Sequence, residues 1–396
     1  MRSLLEDDDE THEGPYDQIW GHLELSPEKV AERGRRREAA RRLLAELLSV
    51  PPAGRSELVR QARFQNLDLL DLLLESSQEA QPADPARGED LSHLAARLAA
   101  ALSEDEPEAA AALPRAFCLG ANARRLRQDV TGADAMLARA APFVEFPGER
   151  AVYCRVAALV RWEQGRPDEA DALLRHAARL FAEEGLGGEE ACCRGLLGLL
   201  QMEQSGLGDP LPALLDGWSE MSREIRPEMA LRVGLSAALC LAERGQGDRA
   251  RSALREAWRL FSEIGDPREL LRASWLEARV LGRLGEREEA LQMLESVRLR
   301  LFLEPSPAEA ALVSVDLGLV LAESGRAAEI EPLAEALRKS FPEEAPLIVA
   351  TGGLLRFAEL ALDAEPGLPS LARHAMATMI RTFRVARLSL RPLPFA

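Results

Sequence analysis

Small and hydrophobic residues in the second half of this chain recur every forty residues. Segments that start at residues 151, 191, 231, 271 and 311 carry a small residue at the eighth position: Ala158, Gly198, Ala238, Ala278 and Gly318. A glycine follows near the middle of each segment: Gly165, Gly206, Gly245, Gly285 and Gly325. Apolar residues then recur late in the segment, as Leu174 and Phe181 do in the first one. Each segment is predicted to be a helical hairpin that buries its apolar face against its neighbours, which is the pattern of a solenoid.

The repeats divide the chain into five predicted regions. They are an acidic disordered tail (1–27), an N-terminal helical cap (28–112), a degenerate first hairpin (113–150), five 40-residue repeats (151–350) and a divergent C-terminal hairpin with a tail (351–396). The terminal hairpins are expected to diverge because one of their faces lacks a neighbouring repeat. Residues 78–90 are rich in proline and acids and predict a loop. The first hairpin is predicted to turn near Thr131 and Gly132.

Composition favours an all-α architecture. Aromatic residues make up only 5% of the 396 residues, while Ala, Leu, Arg and Glu dominate, as in long helical arrays. Trp218 and Trp258 lie forty residues apart on second helices and are expected to fill gaps between successive units. No apolar stretch approaches the roughly 18 residues of a membrane-spanning helix, and no N-terminal segment resembles a signal peptide. We therefore expect a cytoplasmic protein that makes no membrane contact.

Charge is distributed unevenly near the N-terminus. Residues 1–32 contain ten acids against two basic residues, whereas residues 33–66 contain nine arginines against three glutamates. The acidic tail could be a solubilising segment, or it could dock through one amphipathic turn that comprises Tyr16, Ile19, Trp20 and Leu23. The basic segment invites a nucleic-acid role. Direct nucleic-acid binding is nevertheless not expected, because the helix predicted at Leu67–Glu75 is acidic and apolar rather than rich in donors.

Alanines reinforce the repeat: Ala170, Ala250 and Ala290 occupy the twentieth position, and Ala177 and Ala257 the twenty-seventh. This pattern resembles the tetratricopeptide repeat, whose standard unit of about 34 residues is shorter than this one. Long units of this kind resemble those of bacterial regulators and signalling proteins that append a helical sensor to another domain. Four stretches, at 35–76, 120–125, 275–290 and 310–326, resemble a group of bacterial tetratricopeptide proteins, some of which follow a DNA-binding helix-turn-helix module. The resemblance implies a right-handed α-solenoid, and its motifs concern packing rather than chemistry.

The resemblance also implies a binding surface. In tetratricopeptide arrays the first helix of each hairpin lines the concave face through its second, fifth, ninth and twelfth positions. Carried over position by position, these give six candidate ligand-binding residues: Arg155, Trp162, Arg232, Arg272, Trp275 and Arg279. Arginine offers a planar fork of donors to carboxylates, and tryptophan offers apolar area with one N–H donor. We hypothesise a groove for a peptide or protein segment with an acidic part or a C-terminal carboxylate. The alternative is that some of these side chains belong to the core or to ordinary surface.

No pattern indicates a catalytic or cofactor site. The five histidines are scattered, and none has a partner at metal-ligand spacing. The five cysteines show no CxxC spacing, so disulfides are not expected, and we interpret the cysteines as small hydrophobes. A redox or metal role for Cys192 and Cys193 is the alternative. We expect no catalytic residue, no metal and no cofactor, and therefore no enzyme.

Two functions stay open on the sequence. The first is a non-enzymatic scaffold that binds a protein or peptide on the concave face of the array. The alternative is a sensor that binds a signal peptide or a partner and controls a separate transcriptional or defence effector. The pattern leaves the oligomeric state and the identity of the partner open.

Overall fold

The computed structural model describes residues 27–340 except 104–105, 205, 222–226 and 304–306, together with residues 352, 353 and 355. In this part of the chain all regular secondary structure is helical, and no β-strand occurs. The prediction of an all-α fold is therefore confirmed. The predicted acidic tail lies outside the described residues apart from its last residue, and so does nearly all of the predicted C-terminal hairpin.

Six helices precede the regular repeats: α1 (Pro27–Ser49), α2 (Pro52–Leu58), α3 (Leu67–Ala80), α4 (Pro85–Leu102), α5 (Pro107–Leu126) and α6 (Val130–Ala140). Their apolar faces converge on one core of buried side chains, which includes Leu70, Leu73, Leu94 and Leu98. The same core continues into the repeats through Val156 and Val160. The N-terminal helices therefore cover the apolar face that the first regular hairpin would otherwise leave exposed.

The loop predicted at residues 78–90 is confined to residues 81–84. Asp84 accepts a hydrogen bond from the backbone N–H of Arg87 and thereby caps α4. Pro85 occupies the first turn of α4, where its missing N–H costs nothing and its fixed φ suits a helix. Proline and aspartate thus mark the start of a helix here rather than an extended loop. The predicted loop was too long, because only residues 81–84 lie outside the helices.

The boundary that we placed between residues 112 and 113 falls inside α5. Pro114 lies within this helix, although proline usually ends one because it lacks an N–H and crowds the preceding turn. The turn predicted near Thr131 and Gly132 lies a few residues earlier. Asp129 accepts a hydrogen bond from the backbone N–H of Gly132, so α6 has already begun at that point.

The repeated part consists of five helical hairpins: α7 (Pro147–Glu163) with α8 (Pro167–Glu183), α9 (Gly187–Glu203) with α10 (Pro210–Glu220), α11 (Pro227–Glu243) with α12 (Gly247–Trp258), α13 (Pro267–Leu284) with α14 (Arg287–Leu303), and α15 (Pro307–Glu323) with α16 (Ile330–Ser340). The five first helices begin at intervals of forty residues. We call these helices, α7, α9, α11, α13 and α15, the first-helix layer.

Glycine is required at the turns inside the hairpins. The backbone φ angles of Gly165, Gly245, Gly285 and Gly325 are 71°, 72°, 86° and 73°, in the left-handed region that a Cβ atom disfavours. A glycine in this conformation ends a helix because its backbone N–H can donate to one of the last carbonyls of the helix, as the N–H of Gly285 does to the carbonyl of Gly282. The recurring turn glycine of the sequence is therefore a local backbone requirement.

Small residues are required where the helices cross. A Cβ atom at Gly198 would lie 2.6 Å from Cγ of Leu214, and one at Gly217 would lie 2.5 Å from the backbone nitrogen of Gly195. Both distances are shorter than any packed contact, so α9 and α10 approach each other closely only because these positions lack side chains.

The two tryptophans of the second helices behave differently. Trp218 is buried, and its indole lies over Gly234, where a Cβ atom would come within 2.7 Å of the ring. Trp258 occupies the equivalent position one unit later and is 38% exposed. The residue that corresponds to Gly234 in the next unit is Ser274. The prediction that both tryptophans fill a gap between units is correct for Trp218. Trp258 also reaches the next unit, where its indole N–H donates to Glu277 of α13, but it stays partly exposed instead of lying in the core.

Candidate functional site

All six predicted ligand-binding residues lie in the first-helix layer, and each one contacts an acid of the next first helix. The pairs are Arg155 with Glu189, Trp162 with Glu203, Arg232 with Glu269, Arg272 with Glu309, Trp275 with Asp316, and Arg279 with Asp316. The two partners are 34 to 41 residues apart in the chain. We call these six pairs the ladder, because each one joins two successive repeats.

The centre of the ladder is a buried chain of alternating charges. Glu269 of α13 accepts hydrogen bonds from Arg232 of α11 and, at 2.7 Å, from Arg272 of its own helix. Arg272 donates in turn to one oxygen of Glu309 on α15 at 3.0 and 2.8 Å. Burial alone would raise the pKa of Glu269, but the two guanidinium groups more than offset this and hold the pKa below its usual value. Glu269 is therefore an ionised carboxylate that is hydrogen-bonded to both guanidinium groups.

Arg155 is an interior residue. It is only 4% exposed, pairs with Glu189 and lies over the ring of Phe181, with 5.1 Å between its guanidinium carbon and the ring centroid. Burial would lower the pKa of Arg155, but Glu189 reverses this and raises it, so the charge is retained. A ligand could reach this guanidinium only after the contact between α7 and α9 had opened.

The accessible part of the ladder lies on α13 and α15. The indole N–H of Trp275 donates to Asp316 at 2.7 Å, and the guanidinium of Arg279 lies 3.7 Å from the same carboxylate. Arg279 is the most exposed arginine of the ladder, at 36% of its side chain. Because this pair is long and its guanidinium is partly exposed, although Asp316 is only 14% exposed, exchanging Asp316 for another carboxylate should cost less at Arg279 than at the more buried arginines of the ladder.

Sequence reasoning missed Arg283, which extends this surface. Arg283 lies 3.2 Å from Glu323 of the next first helix and 3.9 Å from Glu243 of the preceding one. The sequence did contain a signal: the thirteenth position of the five units reads Glu163, Glu203, Glu243, Arg283 and Glu323. One sign reversal among four carboxylates at fixed spacing marks a bridging cation.

A shallow cleft borders the buried chain. It lies between α13, α14 and α15 and is lined by Arg268, Leu271, Arg272, Trp275, Val297, Leu301 and Glu309. Apolar and charged side chains line it together, and its closed part has room for about a single water molecule. Binding of a larger group would require α13 and α15 to move apart.

The basic segment of the cap is largely neutralised by its own surroundings. Arg37 pairs with Glu75 at 2.5 Å, Arg63 pairs with Glu46 at 2.6 Å, and Arg55 pairs with Asp90. Within the described ranges, no group of three or more His, Cys, Asp or Glu side chains is arranged to hold a metal ion. None of the described helices is long and apolar enough to span a bilayer.

The fold can be compared with solved structures. A Rap protein complexed with competence and sporulation factor superposes with a TM-score of 0.52 at 12% identity, over 81% of this chain and 97% of the Rap chain. NprR in complex with its cognate peptide NprX superposes with a TM-score of 0.50 at 14% identity, over 79% of this chain and 87% of its own.

A third similar structure is a signal transduction ATPase with a tetratricopeptide repeat sensor from Pyrococcus horikoshii, with a TM-score of 0.50 at 15% identity over 80% of this chain. This chain spans about half of that protein, 52% of its length. No protein-family model matches the chain, and no curated protein matches it in sequence. The structural likenesses establish that the described chain has the fold of a tetratricopeptide-like helical solenoid.

Proposed function

We propose that this chain is a non-enzymatic scaffold that binds a peptide or protein segment on its first-helix layer. The observation that carries the proposal is the cluster of Trp275, Arg279 and Asp316, in which an indole and a partly exposed guanidinium share one carboxylate at the surface of α13 and α15. An aromatic anchor beside an arginine is the combination that dominates binding energy at protein interfaces.

Two of the structural neighbours support a peptide as the ligand. The Rap protein was solved with competence and sporulation factor, and NprR with its cognate peptide. Both share this fold along about four fifths of the present chain. We infer that the present array likewise binds a peptide, and we propose that this peptide lies as an extended segment against the first-helix layer.

The ladder suggests how an acidic ligand would be held. A ligand carboxylate would replace Asp316 at Arg279, and the released indole N–H of Trp275 would donate to the ligand as well. The six candidate residues then divide into two roles. Trp162, Trp275 and Arg279 contact the ligand, whereas Arg155, Arg232 and Arg272 keep the first helices in register. Because the Arg279 pair is long and its guanidinium is partly exposed, the exchange costs less than it would at Arg272.

The test is selection of binding peptides from a random peptide library on the purified chain, followed by affinity measurement with variants. Trp275→Ala and Arg279→Ala are each expected to weaken the selected peptides by at least about 30-fold, since an anchor residue contributes about 2 kcal/mol or more. Arg251→Ala, which removes an exposed arginine of α12, is the matched control and should leave affinity unchanged. Selected peptides that bind all three variants equally would contradict the proposed surface.

A second function is favoured by one comparison. The Pyrococcus horikoshii protein carries its tetratricopeptide repeats as a sensor. We propose as the alternative that the present array is also a sensor, which would bind a signal peptide or a partner and control a separate transcriptional or defence effector. A sensor should bind that effector with an affinity that changes when a selected peptide is present, whereas a simple scaffold should not. Pull-down of the purified effector with and without peptide distinguishes the two.

A further inference from the structure

Glu277 is a buried carboxyl group in a position where the sibling repeats have none. It lies on α13 and is 8% exposed. The corresponding residues of the other four first helices are apolar and buried: Ala157, Leu197, Ala237 and Leu317. The fourth repeat therefore places an ionisable group at a buried position where the other four repeats have alanine or leucine, and packing by itself does not require it.

Among the residues that the structure describes, the surroundings of Glu277 supply one hydrogen bond and no ion-pair partner. Its Oε1 accepts from the indole N–H of Trp258 on α12. Its Oε2 is buried and has no hydrogen-bond partner among the described residues. The charged group that acts on it is the carboxylate of Glu289 on α14, which repels a second negative charge. Arg255 on α12 and Arg259 just after it are both exposed to solvent.

A carboxylic acid fits this environment better than a carboxylate. The protonated group keeps the bond from Trp258 and carries no charge to desolvate, whereas the ionised form must leave one oxygen buried without a donor. Burial raises the pKa of Glu277 to about 7, with the Trp258 hydrogen bond opposing and Glu289 assisting. The group thus titrates close to neutral pH, far above the usual range of a glutamate.

The geometry points to a proton-dependent joint between the third and fourth repeats: we propose that Glu277 is protonated when α12, α13 and α14 are packed, and that loss of this proton loosens their contact. We expect the side chain of Trp258 to move when the proton is lost. It is 38% exposed and packs in a tilted orientation against Phe261, with 4.3 Å between the ring centroids. The indole can therefore leave the carboxyl group without opening the core. The joint is independent of any ligand, although Trp275 and Arg279 lie on the same helix.

The direction of the pH effect follows from proton linkage. The folded chain binds the proton more tightly than the unfolded chain, so the stabilisation is complete below the unfolded pKa of 4.5 and is lost as pH rises through the folded pKa of about 7. Between pH 5.5 and 8.5 these two pKa values raise the unfolding equilibrium constant by at most about 30-fold.

The first test is urea unfolding of the full chain across that pH window, with Glu277→Gln and with Glu289→Gln as the matched control. The wild type and Glu289→Gln should lose stability as pH rises, while Glu277→Gln should lack this component. The five histidines are common to all three proteins, so any contribution they make to the pH profile cancels in the comparison. If Glu277→Gln does not fold, Glu277→Leu, the residue of two sibling repeats, takes its place. Identical pH profiles for the wild type and the Glu277 variant would overturn the proposal.

The second test observes the joint directly. The indole N–H resonance of Trp258, assigned by its absence in Trp258→Phe, should shift in the wild type with a midpoint near pH 7. It should stay constant over the same range in the Glu277 variant. A resonance that does not move in the wild type would overturn the proposal even if stability depends on pH for another reason.

Discussion

Glu269→Ala is expected to be the most damaging single substitution in the ladder. Glu269 holds two guanidinium groups, and the side chains of Arg232 and Arg272 are only 14% and 19% exposed. At an effective dielectric constant of about 20, two charges about 4 Å apart interact by about 4 kcal/mol. Desolvation offsets part of this, and breaking a buried pair costs about 3–5 kcal/mol. We expect a loss of that size in the free energy of unfolding, because Arg232 would be left buried without its hydrogen-bonded carboxylate.

The chain supplies a matched control. Arg251 and Glu286 also join the third and fourth repeats and are 35 residues apart, but their side chains are 46% and 36% exposed. Glu286→Ala should therefore cost no more than about 1 kcal/mol. Urea unfolding followed by far-UV circular dichroism measures both, provided that the slope of the transition is unchanged. Added salt should reduce the effect of Glu286→Ala more than that of Glu269→Ala, because solvent ions screen the exposed pair.

A double-mutant cycle isolates the pair itself. Combining Arg232→Ala with Glu269→Ala should recover part of the lost stability, with a coupling energy of about 1–3 kcal/mol. The reasoning would be refuted if Glu269→Ala cost no more than Glu286→Ala, or if Arg232 and Glu269 showed no coupling. Either result would mean that the buried charges do not join the repeats.

Two further predictions concern packing and thiol chemistry. Gly217→Ala should destabilise the array by about 1–3 kcal/mol in urea unfolding, because its Cβ would meet the backbone of Gly195 and overpacking outweighs the gain in helix propensity. The control is Gly148→Ala, whose Cβ would meet nothing within 4 Å, and this substitution should be neutral or slightly stabilising. Equal effects of the two substitutions on stability would contradict the close helix crossing. Burial raises the thiol pKa of Cys118 and of Cys240 to about 12, so both should react with a thiol-specific disulfide reagent only after unfolding, and rapid labelling of either in the native chain would contradict their burial.

The fold was predictable because its determinants are local and repeated. A left-handed turn needs glycine at Gly165, Gly245 and Gly285 whatever the rest of the chain does, and a close helix crossing needs a small residue wherever it occurs. Each requirement recurs every forty residues, so a single sequence exposes it. By contrast, the partial exposure of Trp258, at the register where Trp218 is buried, does not follow from the shared forty-residue spacing.

The candidate site was predictable only in its location. The position rule selected the donors, such as Arg232 and Trp275, but it treats each first helix separately. The acids that accept from these donors, such as Glu269 and Asp316, lie on the first helix of the following repeat, about one unit further along the chain. Arg232 with Glu269 and Arg272 with Glu309 both have a separation of 37 residues, so pairs of opposite charge at near-repeat spacing are the signal to search for. Their ligand-binding role stays a prediction.

The short reach of the ladder also bears on how the chain is synthesised. No pair of the ladder joins residues more than 41 positions apart. At a translation rate of about 5–20 residues per second, the partner of each donor follows it from the ribosome within about 2–8 seconds. Contacts this local favour fast folding, since little loop-closure entropy has to be overcome. Each repeat can therefore dock as soon as the next one has emerged, and the nascent chain need not keep a long apolar segment exposed while it waits for its C-terminus.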